Sequence, residues 1–449
     1  MKDRTGIWLL FVIAVAILLR VGFTVALAPT ITGDSGSYIR EAKAFLTEES
    51  LDADPTARRR PPGYPLFLAV LFSVSMKNYF LVVLAQHLMG LAVVVMVFYI
   101  CRVLTAKRSV ALVAAFLVSA DLYILFYEHA VLSDFLQMFF ITTGIFNVAL
   151  YVNKKSVRFL SLAGLIHGLL ALTKTVFYLY CAVPAAALLL PGFKDVKRGK
   201  FRGVAAYLVP FLVLLVAWSV IRASVQGSPK VGSDIGRSIM VNTEFFIDHD
   251  SPKHAELKKV FREYEPLRSD NGGEHAFIEL MVFDEYRDRT GLTNDELDGM
   301  FFEVAMEAIE RYPWKYIGRV ARELYVMFFP EVERDTRSLD YVDGDVVRKS
   351  SGKVMLAKNA YRQMNKILVI FFLVGLILYP MREEDRSRMV LYFAMVLSVC
   401  YVFFVSCALN WGLIRYRLAV EPIIMIFSAI AVCGAAESIA ARFRKVEAG

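Results

Sequence analysis

The chain has 449 residues, 57% of them apolar, with 51 Lys and Arg against 43 Asp and Glu and a net charge of +8. Its mean hydropathy of +0.50 arises from long apolar blocks separated by short basic stretches, which excludes an ordinary soluble globule and identifies a polytopic membrane protein. Lys and Arg cluster where chain turns meet the cytoplasm, and the five cysteines form no CxxC pair, so neither nucleic acid, zinc nor a disulfide scaffold is indicated.

The first block, Trp8 to Ala28, has the basic flank and small-residue triplet (Ala26-Leu27-Ala28) of a signal peptide. Pro29 beyond the triplet, Arg20 inside the run and the further membrane segments that follow argue for a retained helix. Immediately after it comes Gly33-Asp34-Ser35-x-x-Tyr38, then Arg59-Arg60-Pro61-Pro62-Gly63-Tyr64-Pro65. Ionisable groups held against a bilayer are costly unless solvated or paired, so an acid beside a basic loop at the mouth of a many-span protein marks a functional site; the alternative is a solvated loop. The stretch 64–76 is too short to span and reads as an interfacial helix.

Apolar runs predict spans near 7–28, 79–103, 109–127, 131–152, 158–174, 175–191, 203–223, 366–380, 389–409 and 418–438, about ten helices in all. With the N-terminus inside, Arg102, Lys107 and Arg108, then Lys154, Lys155 and Arg158, then Lys194 to Arg202, then Arg382, Arg386 and Arg388 fall on the cytoplasmic side, as the positive-inside rule requires. Lys174 divides an almost continuous apolar stretch into two short helices, the pattern of a re-entrant tip lining a cavity. The opposite face then receives the 29–78 loop, the turn at Glu128 to Asp134, Lys174, the polar stretch 224–365 and Asn410 to Arg417.

These signals divide the chain into a membrane module at 1–223, an external, mainly helical domain at 224–365, and C-terminal helices with a cytoplasmic tail at 366–449. The fold class is an all-α helical bundle of about ten transmembrane helices. Helical periodicity runs from Asp295 through Phe329, with Phe301, Phe302, Ala305, Ala308 and Ile309 on one face. Trp314, Tyr316, Tyr325, Phe328 and Phe329 suit a helix lying on the bilayer, although a plain core face fits equally well.

Glu128, His129 and Asp134 share one turn, close enough to meet a common ligand or ion. Two acids with Asp34 could hold a divalent cation through oxygen, while His129 alone reads as a polar-rim residue. Lys174, Arg415 and Arg417 supply fixed positive charge of the kind a departing phosphate needs. The Arg415 and Arg417 pair could instead snorkel to headgroups, Asp34 and Asp134 could be helix N-caps, and Glu421 could pair with Arg417 one turn away. Gln86 and His87 read as hydrogen-bonded core groups, and Arg20 faces the bundle interior with no assignable partner.

Five stretches in this order resemble the C-type membrane glycosyltransferases, specifically the protein O-mannosyltransferase and aminoarabinose-transferase relatives that use polyprenyl-phosphate sugar donors. They are Gly33-Asp34-Ser35-x-x-Tyr38-x-x-x-Ala42, Arg60-Pro61-Pro62-Gly63-Tyr64-Pro65, Glu128 to Asp134, Leu172-Thr173-Lys174 and Arg415-Tyr416-Arg417-x-x-x-Glu421-Pro422. The resemblance implies an enzyme of the bacterial or archaeal plasma membrane that moves a sugar to a lipid, glycan or protein hydroxyl on the external face. It makes Asp34 the general base, with Asp134 and Glu128 as further acids. Tyr38, Arg59, Arg60, Tyr64, His129, Lys174, Arg415, Tyr416 and Arg417 are then the substrate contacts. The resemblance makes no cofactor certain and leaves a divalent cation possible, as in some relatives, while Glu128-His129 in place of a plain acidic pair puts a bound metal in doubt. The competing readings are a secondary transporter for an anionic solute, which would need charges near the midplane and broken Gly/Pro helices, and a non-catalytic membrane assembly protein.

Overall fold

The computed structural model describes residues 5–47, 61–75, 78–190, 197–226, 235–270, 278–329, 341–343, 346–348, 352–382, 385–409 and 414–447. The membrane part opens with α1 (Thr5–Ala26), followed by the short helices α2 (Gly33–Ala44) and α3 (Gly63–Val74). Along α1 only Val12, Ala16 and Arg20 are buried, one every four residues, while Ile7, Leu10, Leu18 and Val25 are exposed. That single stripe faces the bundle and carries Arg20 into it.

The chain then crosses through α4 (Tyr79–Thr105) and returns through α5 (Arg108–Ala120) and α6 (Leu122–Glu128). The expected straight span at 109–127 is in fact bent by 52° between α5 and α6. The cause is Asp121, whose carboxylate accepts the Ile124 amide at 2.8 Å and so caps a new helix inside an apolar run. After the turn at 129–132, α7 (Ser133–Lys154) runs through the centre of the bundle against α4 and α8 (Arg158–Ala171). A 3₁₀ turn at Thr175–Phe177 and α9 (Ala182–Leu189) follow, then α10 (Lys197–Gln226).

The part between α10 and the next long apolar helix comprises α11 (Ile235–Thr243), α12 (Ala255–Asp270), α13 (Ile278–Thr290), α14 (Asn294–Arg311) and α15 (Pro313–Phe328), with a small antiparallel hairpin of β1 (Tyr341–Asp343) and β2 (Val346–Arg348). It has its own core, built on Met240, Leu257, Phe261, Phe283 and Phe301. The periodicity from 295 to 329 is continuous in sequence, but the helix breaks at Tyr312-Pro313. Proline lacks the amide that a continuing helix needs and is tolerated only in a first turn, where α15 places it. Trp314 and Tyr325 on α15 are exposed.

The chain re-enters the bundle as α16 (Gly352–Arg382), α17 (Arg386–Leu409), the four-residue α18 (Ile414–Arg417) and α19 (Glu421–Glu447). Tyr316 donates to the carbonyl of Ala408 at 2.9 Å and Phe328 packs edge-on against Phe403, so α15 leans along the C-terminal end of α17. Among the described residues seven helices are by themselves long and apolar enough to span, and the bent α5–α6 pair makes an eighth. The two other expected spans, near 158–174 and 175–191, are the shorter apolar helices 158–171 and 175–189, which meet at Lys174.

Candidate active site at one end of the bundle

The site is assembled by a tie between two loops distant in sequence. The Thr30 amide donates to the His129 carbonyl and the Val131 amide to the Thr30 carbonyl, each at 2.9 Å, forming a parallel bridge between the segment after α1 and the α6–α7 turn. This bridge brings the start of α2, with Asp34, beside the start of α7, with Asp134. Tyr38 on α2 and Ser133 on α7 share a hydroxyl hydrogen bond of 2.9 Å, and the Tyr38 ring stands edge-on against Tyr64, 5.0 Å between centroids. The Tyr64 hydroxyl donates to Gln86 Oε1, and Gln86 Nε2 donates to the carbonyls of Glu128 and Ala130, both at 2.9 Å. Gln86 is therefore a fully buried clamp across α3, α4 and the α6–α7 turn.

At Gly63, where α3 begins, the amide donates to the Leu172 carbonyl at 2.6 Å, and an added Cβ would stand 2.7 Å from that oxygen. Only glycine permits this approach, which fixes the Leu172-Thr173-Lys174 tip against α3.

Asp34 is not an N-cap: Thr32 occupies that position and Asp34 lies inside the first turn of α2. Its Oδ2 accepts a hydrogen bond from Arg415 Nη1 at 3.0 Å, with 35% of the Asp34 side chain exposed. Arg415 Nη2 also donates to the Tyr416 hydroxyl at 3.3 Å, and the Lys174 ammonium lies 4.0 Å from the Tyr416 ring centroid. The charge of Asp134 reaches both Arg415 and Tyr416. Asp134 is likewise inside the first turn of α7, after Leu132, and its side chain does not cap the helix. It is 5% exposed, and its Oδ1 is buried without a hydrogen-bond partner among the described residues. Asp34, Asp134, Lys174 and the adjacent Arg415 and Tyr416 thus converge from four separate stretches of sequence. Arg59 and Arg60 lie outside the described residues.

Two expected members sit elsewhere. Arg417 is wholly buried and bonded to both Glu421 oxygens at 2.9 and 3.0 Å, with Asn365 Oδ1 as a further acceptor, so its charge is spent inside the bundle. Glu128 is also wholly buried: Oε1 accepts from Arg20 at 2.5 Å and Oε2 meets His87 Nδ1 at 2.7 Å. Gly90 makes room for this cluster, because a Cβ there would come within 2.0 Å of Glu128 Oε1. His129 is not a rim residue; it is fully buried beside His87, its Nε2 at 2.9 Å from the Leu27 carbonyl. Sequence reasoning missed the Arg20–Glu128 pair, although the signal was present: Arg20 lies six residues, about 9 Å, from the end of α1, a depth that Glu128 at the end of α6 can meet.

The donor set does not fit a cation cage. Among the described residues no group of three His, Cys, Asp or Glu side chains is placed to hold a metal, and Glu128, which such a site would have drawn on, is held by Arg20 and His87.

A model of the dolichyl-phosphate-mannose-protein mannosyltransferase family matches residues 59–221, a little over a third of the chain. The matched stretch includes Tyr64, Glu128, Asp134 and Lys174 and leaves out Asp34 and Arg415. The oligosaccharyltransferase of Archaeoglobus fulgidus in its apo form superposes with a TM-score of 0.55, covering 99% of this chain and 52% of its own at 12% identity. This protein has the C-type membrane glycosyltransferase fold. The chain also superposes on the same archaeal enzyme in complex with an inhibitory peptide and a dolichol-phosphate, at a TM-score of 0.51 and 15% identity over 99% of this chain and 52% of that one. It spans about half the length of the archaeal enzyme. ArnT from Cupriavidus metallidurans bound to undecaprenyl phosphate aligns at a TM-score of 0.40 and 14% identity, over 95% of this chain and 77% of that one. No curated protein matches the sequence.

Proposed function

We propose that this C-type protein is a glycosyltransferase that moves a sugar from a polyprenyl-phosphate donor to a hydroxyl of a lipid, glycan or protein acceptor. The reaction takes place on the non-cytoplasmic face of a bacterial or archaeal plasma membrane. The observation that carries this reading is the convergence of a partly exposed carboxylate, Asp34, with Arg415 and Lys174 around Tyr416 at one end of the bundle. The family match to dolichyl-phosphate-mannose enzymes and the dolichol-phosphate bound by the archaeal relative support the choice of donor class.

Each step has a residue suited to it. The Asp34 carboxylate takes the acceptor hydroxyl proton, and the oxygen attacks the anomeric carbon. The bond from that carbon to the phosphate oxygen breaks, and its electron pair leaves with polyprenyl phosphate. A positioned carboxylate base typically contributes about 10²–10⁴-fold in rate. Arg415 and Lys174 stabilise the phosphate charge as it develops, Arg415 through paired donors and Lys174 as a point charge. The unpartnered Oδ1 of Asp134 accepts a sugar or acceptor hydroxyl. Tyr416 holds Lys174 over its ring and takes a hydrogen bond from Arg415, aligning the two cations. Glu128, His129, Tyr38 and Tyr64 act through the framework they brace rather than on substrate.

The test is to incubate the purified protein with a panel of polyprenyl-phosphate sugars and follow release of polyprenyl phosphate. Release from one donor class supports the reading and names the sugar. Absence of release from every donor, with each acceptor class supplied, would overturn it.

A further inference from the structure

At the end of the bundle opposite Asp34, where α4 and α7 finish and α17 begins, there is a cavity of about 500 Å³. Arg102 from α4, Lys155 just after α7 and Arg388 from α17 line it, together with one acid, Asp385. Among the described lining residues there are three cations and one carboxylate, on the face where the basic loops collect. Arg388 is 3.3 Å from Asp385, and Arg102 gives one hydrogen bond to the Ala106 carbonyl out of the five donors a guanidinium carries.

The lining is graded by depth. Phe98, Tyr99 and Val152 lie three or four residues before Arg102 and Lys155 along α4 and α7, about 5 Å further into the bundle at 1.5 Å per residue. An apolar inner wall with a cationic rim matches an amphiphile whose phosphate sits at the membrane surface and whose glycerol and first methylenes point inward. Topology alone needs basic residues on this side but no cavity between the helices. Basic pockets between helices on the cytoplasmic side recognise anionic lipid headgroups, each cation near the surface contributing an attraction worth a severalfold change in affinity.

We propose that this cavity binds the phosphate headgroup of an anionic phospholipid in the cytoplasmic leaflet. The site is separate from the Asp34 cluster and does not depend on the function proposed for it. Asp385 limits its affinity: its carboxylate, held below the ordinary range chiefly by the Ser387 hydroxyl, stays ionised and opposes the phosphate.

The test uses the full-length protein in a neutral detergent, with thermal unfolding followed while dioctanoyl phosphatidylglycerol, dioctanoyl phosphatidylcholine or inorganic phosphate is titrated. Phosphatidylglycerol is expected to stabilise saturably, and phosphatidylcholine at the same concentrations is not. Arg102→Gln with Arg388→Gln should raise the half-saturating phosphatidylglycerol concentration at least tenfold. Asp385→Asn, which can still cap α17, should lower it severalfold, an increase in affinity that a merely structural role does not produce. Equal responses to the two lipids, an unchanged midpoint in both variants, or full reproduction of the effect by inorganic phosphate would each overturn the assignment.

Discussion

Replacing Glu128 with Ala should damage the fold before it touches the chemistry. The side chain is wholly buried, Arg20 is 4% exposed and His87 6% exposed, and both depend on the carboxylate that would be lost. Removing one partner of a buried ion pair strands the other charge, which costs about 3–5 kcal/mol, whereas replacing both partners with apolar groups is often close to neutral. Glu128→Ala should therefore lower unfolding free energy by roughly that amount, and Arg20→Leu combined with Glu128→Ala should recover about half of it or more. The assay is unfolding of the purified protein as dodecyl sulfate replaces a neutral detergent, followed by circular dichroism, with the four members of the double-mutant cycle run together. A single-mutant cost below about 1 kcal/mol, or a double mutant equal to the sum of the singles, would refute the buried-triad reasoning.

Gly90→Ala places a methyl on the same carboxylate and should destabilise comparably, with little added loss when Glu128 is already Ala; full additivity in the same unfolding assay would count against the clash. Arg415→Ala should cripple donor use while leaving unfolding nearly unchanged, whereas Arg417→Ala should chiefly lower stability, because it strands Glu421 in the bundle; donor binding and unfolding measured on both variants separate the two. Burial holds the Glu279 carboxyl on α13 above its ordinary value. Its folded pKa therefore exceeds its unfolded one, so the native state keeps a proton that the unfolded chain has released, and stability falls as pH rises from the unfolded pKa through the folded one. Thermal unfolding should show that decline in the wild type and a flatter profile in Glu279→Gln. In a cysteine-free background, thiols at positions 36 and 155 should be labelled from opposite sides of the membrane; labelling from one side would remove the basis for a common external site.

Much of the scaffold is legible because bilayer physics writes it in long runs. The apolar blocks fix where helices cross, and the basic loops fix which ends lie together, so Asp34, Asp134, Lys174 and Arg415 share a face before any contact is known. What the runs cannot encode is side-chain direction at helix ends. Arg415 and Arg417 are two residues apart on a four-residue helix, hence on different faces, and one meets Asp34 while the other turns to Glu421. Motif order alone treats them alike. Asp121 shows the same limit: a single acid in an apolar run reads as a tolerated polar residue, yet as an N-cap it bends the span. The Thr30–Ala130 bridge that joins the two acidic turns is made by backbone atoms and leaves no side-chain signature.

In the proposed reaction Asp34 removes the acceptor proton beside cations that receive the phosphate. The most direct measurement is turnover of Asp34→Asn with its best polyprenyl-phosphate donor, alongside donor binding and unfolding of the same preparation. The amide keeps the shape and can still accept a hydrogen bond from Arg415, but it cannot take up the proton, so turnover should fall by about 10²–10⁴-fold with fold and donor affinity nearly intact. Turnover within a few fold of the wild type would contradict the account.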